Sequence, residues 1–325
     1  MSQILVTGAA GFVGANVAKA LINQGYDVVG VDSINDYYDP ALKYHRLAQL
    51  NELPHFSFIS GDLADAELVE SVFKRGPFHW VIHLAAQAGV RYSIENPGAY
   101  VQSNLVGFQN ILEQVRLTPP EHFVFASSSS VYGNSKRSIF SETDPTDDPV
   151  SLYAATKKAN EVVGHSYAKL YGISMTGLRF FTVYGAAGRP DMAYYTFTRD
   201  IFEGRTIRVF NHGNLERDFT YIDDIVSGVL GSCANPPTEL DIPHRILNLG
   251  NNKPVKLGDF IGTIERLCGR EAIKEYVDMQ PGDVYKTCAN IDAAKSIAGY
   301  DPQTSIEDGL ERFVDWYRQY HGIPG

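Results

Sequence analysis

The chain has 325 residues, 44% of them hydrophobic: enough for one large or two modest domains with a true core, and too apolar for a disordered chain. Asp and Glu number 38 against 28 Lys and Arg, and the formal net charge of −10 argues against general nucleic-acid or anionic-membrane binding. The three cysteines, Cys233, Cys268 and Cys288, are too far apart to suggest a disulfide framework or a zinc site, so no metal is expected.

The N-terminus has no basic region followed by a long apolar stretch, which predicts a cytoplasmic protein without a leader or a span. Gln3 to Thr7 is an apolar strand, Gly11 to Gln24 has helical periodicity, and Asp27 to Asp32 is a second strand. His55 to Ser60 reads as a strand and Asp65 to Lys74 as a helix. Two buried strands, His79–Ala85 and His122–Ser127, flank a helix from about Pro97 to Arg116. A long helix, Ser151–Tyr171, precedes the strand Ile173–Phe180. This alternation predicts an α/β fold of the Rossmann type, a doubly wound parallel sheet with helices on both faces. After Phe181 the rhythm breaks into shorter elements. Helices are predicted near Ala193–Glu203, Asp223–Ser232, Leu257–Leu267 and Ile306–Tyr320, and strands near Ile207–Phe210, Arg245–Leu249 and Ile273–Val277. Residues 1–180 form the expected dinucleotide domain. Residues 181–325 form a smaller mixed α/β substrate region, and the chain is expected to cross back between the two.

The first strand runs into Gly8, Gly11 and Gly14, a G-x-x-G-x-x-G spacing that opens a helix. Gly8 permits a tight turn, Gly11 lets backbone approach a pyrophosphate at the positive helix N-terminus, and Gly14 allows close helix–strand packing. Asp32 ends the second strand twenty-one residues after Gly11, where a carboxylate accepts from ribose hydroxyls and repels a 2′-phosphate. The pattern favours NAD over NADP. Asp62 after the third strand is placed to meet an adenine amino group, and Leu84, Ala85, Ala86 and Gln87 after the fourth let backbone lie against the cofactor.

Tyr153 and Lys157 stand four apart and share a helix face. A nearby ammonium lowers a tyrosine pKa and makes the phenol a usable base. Ser127 to Ser130 follow a buried strand, where such sheets build active sites. His83 lies inside a strand and reads as a core histidine.

With its glycine loop, its serine cluster and Tyr153-x-x-x-Lys157, the chain resembles the extended short-chain dehydrogenase/reductase family of nucleotide-sugar enzymes. It is most similar to the UDP-glucuronate 4-epimerases. The matching blocks include Asp36-Tyr37-Tyr38-Asp39-Pro40, Leu84 to Ser93, Leu178 to Gly185, Arg189-Pro190-Asp191-Met192, Arg217 to Asp224 and Gln280-Pro281-Gly282-Asp283. After Tyr184-Gly185, where relatives often carry proline, this chain has Ala186-Ala187.

The resemblance implies tightly bound NAD recycled in each turnover, with Tyr153 as base, Ser128 on the reacting oxygen and Lys157 on the nicotinamide ribose. It extends the cofactor set to Phe12, Val13, Asn35, Leu63, Asn104 and Phe180. On the sugar side it implies Ser127, Ser129, Thr182, Arg189 and Met192, with Arg217 on the diphosphate, Asp283 on the uridine ribose, and Arg91 and Gln280 nearby. A homodimer through a four-helix bundle is implied as well. Thr182, where neutral-sugar relatives usually have asparagine, together with Arg189 and Ser127 favours a uronate over a neutral UDP-hexose. Ser129 stands where dehydratases and decarboxylases of this fold carry an acid, which argues against them.

Overall fold

The computed structural model describes residues 2–279 and 285–324. In chain order the first part comprises β1 (Gln3–Thr7), α1 (Phe12–Asn23), β2 (Asp27–Asp32), α2 (Ala41–Asn51), β3 (Phe56–Ser60), α3 (Ala66–Phe73), β4 (Trp80–His83), α4 (Tyr92–Glu95), α5 (Pro97–Tyr100), a π-helical turn at Val101–Val106, α6 (Gly107–Leu117), β5 (His122–Ser128), α7 (Leu152–Tyr171) and β6 (Met175–Phe180). β7 (Thr182–Tyr184), α8 (Ala193–Phe202), β8 (Thr206–Phe210), β9 (Glu216–Arg217), β10 (Phe219–Tyr221), α9 (Ile222–Cys233), β11 (His244–Leu249), β12 (Val255–Lys256), α10 (Leu257–Cys268), β13 (Ile273–Val277), α11 (Asp292–Ala298) and α12 (Ile306–His321) follow.

Continuous apolar runs make the central strands, because both faces of the sheet are covered. Every residue of β5 is buried, from His122 to Ser128. Seven strands pair in the order β3-β2-β1-β4-β5-β6-β11, all parallel. One apolar cluster lies under α3 and α6 (Val69, Phe73, Phe108, Ile111). The other runs from α1 through α9 into α8, α10 and α12 without a break. The chain returns to the first sheet through β11, which pairs with β6 from Met175 to Phe180. α9 returns with it and lies against α1. Beyond the sheet, β8 pairs with β13, β7 with β10 and β9 with β12.

Local signals explain the ends of the longest helix. Ser151 Oγ accepts from the Ala154 amide at the start of α7, and Gly172 closes it at φ +67°. The capping serine therefore fixes where Tyr153 emerges, in the first turn.

Two elements differ from expectation. The single helix expected over Pro97–Arg116 is interrupted by the π turn. That turn brings Asn104 inward to 1% exposure, where it holds both backbone polar groups of Gln87. α2 has no apolar period to announce it, because Lys43 and Arg46 share its buried face with Leu42, Leu47 and Leu50. No helix among the described residues is long and apolar enough to cross a membrane.

Candidate active site

The order of the strands reverses at β1, which pairs with β2 on one side and β4 on the other. In such sheets the crevice beyond the carboxyl ends of these strands is the ligand site. The glycine loop fills its floor. A Cβ on Gly8 would lie 2.8 Å from the Ala85 amide nitrogen, and one on Gly14 only 2.0 Å from the Gly8 carbonyl oxygen. Only bare backbone passes here, and Gly8 sits at φ +72°. The first turn of α1 carries no capping side chain and no acid. Its free N–H groups and positive end suit an anionic group such as a diphosphate.

Asp32 takes the Ala10 amide on Oδ2 at 3.1 Å and the Ile34 amide on Oδ1 at 2.9 Å. Each oxygen keeps a lone pair for a ribose hydroxyl. Asn35 donates to Gln87 Oε1 across the crevice at 3.3 Å, and Lys43 Nζ holds the Asn35 side chain at 2.6 Å. Asp62 is exposed and its Oδ1 turns the chain by accepting from Ala64. Leu63 is buried beneath Gly107, and Phe180 ends β6 opposite Ser128. This backbone cradle with a carboxylate at its rim fits a dinucleotide.

Ser128 ends β5 and is 9% exposed. Its Oγ accepts from Ser130 Oγ at 2.7 Å and from the Ser130 amide at 3.2 Å. Burial raises the pKa of Tyr153, while the neighbouring Ser128 hydroxyl and the Arg189 charge act to lower it. Lys157 is 2% exposed, donates to the Ala126 carbonyl at 2.8 Å, and is held down to about 8 by burial. Ser129 opens the short turn after β5. His83 bonds Thr7 Oγ1 at 2.9 Å, and burial pushes it to about 3, so it is a neutral part of the core.

Ser127 is not brought to the crevice. Side chains alternate along a strand, so Ser127 and Ser128 point to opposite faces. Ser127 is 2% exposed and donates to Glu161 Oε1 at 2.6 Å. Glu161 is gripped in turn by Arg179 through two bonds of 2.8 Å. In place of the expected contact with sugar, the Ser127 hydroxyl braces a buried ion pair behind the site.

On the far side of the crevice, Thr182 begins β7 and hangs from the Asp218 carbonyl through its amide. Arg189 makes a two-pronged contact with Asp191, at 3.0 and 2.5 Å, and Tyr37 donates to the same carboxylate at 3.1 Å. Its guanidinium lies near Gly89 and Tyr100, whose ring packs edge-on against Tyr153 at 6.0 Å. Met192 precedes α8 and bonds back to Arg189. Arg217 donates to the Glu216 and Tyr285 carbonyls. The Asp218 carboxylate accepts three backbone amides, from Asn251, Asn252 and Ala289. Asp223 faces Arg312 at 3.5 Å. Arg91 spans to the second part of the chain, over Phe210 at 5.3 Å. Gln280 and Asp283 lie outside the described residues.

Asp191, Tyr37, Lys43, Arg46 and Glu161 gained no role from the sequence. Asp191 and Tyr37 stood inside matching blocks, and Glu161 lies two helical turns beyond Tyr153. Lys43 and Arg46 gave no signal, because basic residues on a helix read as a solvated face.

Residues 4–250 match the model of the NAD dependent epimerase/dehydratase family. UDP-glucuronate 4-epimerase 4 of Arabidopsis thaliana is 50% identical over 335 aligned positions, covering 98% of this chain and 76% of that protein. Protein CapI of Staphylococcus aureus is 48% identical over 98% of this chain and 99% of its own length. Among solved structures, UDP-glucuronic acid 4-epimerase from Bacillus cereus, in complex with UDP-glucuronic acid and NAD, superposes with a TM-score of 0.90 at 34% identity. That match covers 98% of this chain and 99% of the other.

Proposed function

Because the chain belongs to the NAD dependent epimerase/dehydratase family, we propose that it interconverts UDP-glucuronate and UDP-galacturonate by epimerisation at C4. NAD, when bound in the crevice, supplies a hydride acceptor that becomes the donor for the return step. Tyr153 takes the proton from the 4-hydroxyl while Ser128 holds that oxygen. The 4-keto sugar turns over in the site, and Tyr153 returns the proton once hydride has reached the opposite face. Lys157 holds the nicotinamide ribose and lends its charge to the phenolate. The closed cycle consumes no external oxidant.

The observation that carries the uronate reading is the cation beside the base. The Arg189 guanidinium lies near Gly89 beside Tyr100, whose ring packs against Tyr153 at 6.0 Å. The carboxylate of a hexuronate is borne on C5, next to the reacting C4, so a group that meets it must stand close to the catalytic phenol. Asp191 engages Nε and Nη2 of Arg189, and the remaining N–H groups of the guanidinium are the ones a second carboxylate would meet. Oxidation at C4 creates a β-keto acid, which loses carbon dioxide when the breaking bond aligns with the carbonyl. Arg189 and Thr182 hold the carboxylate out of that alignment. Met192 lines the same side, and Arg217 and Arg91 serve the diphosphate.

The purified protein, given UDP-glucuronate and no reductant, is expected to yield an equilibrium mixture with UDP-galacturonate, followed by chromatography. Faster turnover of UDP-glucose than of UDP-glucuronate would refute the carboxylate argument. Accumulation of a UDP-pentose with carbon dioxide would assign the protein to decarboxylation.

The assembly proposed is a homodimer in which the α5–α6 segment and α7 pair across a two-fold axis as a four-helix bundle. Val101, Val162 and Leu170 support it, being exposed apolar residues on those segments. The acidic net charge and three buried free thiols suit the reducing cytoplasm.

A further inference from the structure

Arg46 is an unusual occupant of a core. It is 3% exposed on the inner face of α2, and its four hydrogen bonds all go to neutral oxygens. Nη1 donates to the Ala10 carbonyl in the glycine loop at 3.0 Å and to the Tyr38 hydroxyl at 2.9 Å. Nε donates to the Ala187 carbonyl at 2.8 Å, and Nη2 to the Gly188 carbonyl at 3.2 Å. One rigid guanidinium thus ties the cofactor loop to a segment 141 residues away.

That segment leads directly into Arg189. Ala187 lies at φ +53°, a conformation unfavourable for a non-glycine residue, so neighbouring contacts must hold it there. Arg46 holds its carbonyl. From the other side Tyr194 accepts from the Arg189 amide at 3.0 Å, and a Cβ on Gly188 would collide with the Tyr194 oxygen at 1.9 Å. Gly188 is therefore clamped between two side chains, and Arg189 leaves the clamp in a fixed direction. Burying a cation is costly, and hydrophobic side chains would fill α2's inner face more cheaply. A lysine ammonium lacks the planar fork that reaches three segments at once.

We propose that Arg46 is a positioning residue that locks the glycine loop to the Ala187–Gly188 segment, so that cofactor and Arg189 share one frame. The inference rests on the proposed role of Arg189 at the sugar carboxylate. Hydride transfer needs the nicotinamide ring and C4 in register, and Arg46 joins the two loops that bind either side of that pair.

The test uses the full chain with NAD bound. Arg46→Gln and the milder Arg46→Lys are compared with wild type for NAD content, melting temperature, kcat and KM on UDP-glucuronate. Both variants are then combined with Arg189→Ala. Each Arg46 variant is expected to keep its NAD and to lose roughly 10–100-fold in kcat. In the Arg189→Ala background the further loss is expected to be within about twofold, since residues that act as a unit are not additive. Multiplicative losses, or lost NAD with unchanged turnover per bound cofactor, would overturn the proposal. Amide exchange across residues 185–191 is read in the same holoproteins, and faster exchange in the variants is expected. Unchanged protection there overturns the lock whichever sugar is used, whereas failure of wild type to act on UDP-glucuronate overturns only the substrate reading.

Discussion

At the scale of single residues, the proposed catalytic pair is set by burial. Tyr153 is raised by burial and Lys157 is lowered by it, to about 8. Both shifts favour the neutral forms, so burial alone opposes the charges that the chemistry needs. For Lys157 the consequence for stability has a definite sign. An unfolded lysine titrates near 10.4, so between about 8 and 10.4 the unfolded chain binds more protons than the folded one, and stability rises with pH across that window. Below it, the buried ammonium costs the fold about 3 kcal/mol at most, less what its bond to Ala126 returns. Lys157→Met, free of cofactor, is therefore expected to melt above wild type at pH 7 while losing at least about 100-fold in turnover. The difference in melting temperature should shrink between pH 8 and 10.4, and a constant difference in pH-scanned calorimetry would show that burial leaves Lys157 titrating as it does in the unfolded chain. The spacing of Tyr153 and Lys157 was legible in the sequence because helical geometry follows from four residues. The Arg189–Asp191–Tyr37 contact was not, because Tyr37 and Asp191 meet across 154 positions.

At the scale of elements, the crevice depends on how firmly the end of β5 is held. Ser127, Glu161, Arg179, Tyr132 and Asn248 form a buried chain of bonds linking β5, α7, β6 and β11. Glu161 and Arg179 side chains are only 5% and 4% exposed. Removing one partner of such a pair strands a charge, whereas replacing both with apolar residues of similar volume removes the desolvation cost as well. Glu161→Leu is expected to lose about 3–5 kcal/mol in urea unfolding, and Glu161→Leu combined with Arg179→Met to recover most of it. Equal losses in the single and double variants would mean that the network, and not charge balance, holds the strand end. Most strands and helices could be read from apolar runs and period, down to β11 as a strand. That β11 lies beside β6, and that a π turn aims Asn104 inward, depends on contacts that no local pattern encodes. α2 escaped notice for the reason that makes it interesting: two cations stand where a helix normally buries carbon.

At the scale of the whole molecule, the acidity and the anionic ligands cease to conflict. The net charge of −10 belongs to the chain, while the crevice offers an uncapped helix N-terminus, a buried Lys157 and a half-buried Arg189. What the outer surface leaves unexplained is its apolar residues. Val162 and Leu170 on α7 are 56% and 67% exposed, and Ile94 on α4 reaches 73%. Tyr153 and Lys157 lie on the same helix as Val162 and Leu170, and Tyr100, against Tyr153, ends α5. A dimer through this face would therefore buttress the back of the active site as well as cover carbon. Val162→Glu, which puts a carboxylate where the two-fold axis would pair apolar groups, is expected to shift sedimentation from dimer to monomer. NAD content should survive, because the glycine loop lies on the other side of the sheet's centre, while melting temperature and turnover should both fall with dilution. A variant that still sediments as a dimer would move the interface elsewhere, and a monomer with full, concentration-independent turnover would show that α7 needs no partner to hold Tyr153 in place.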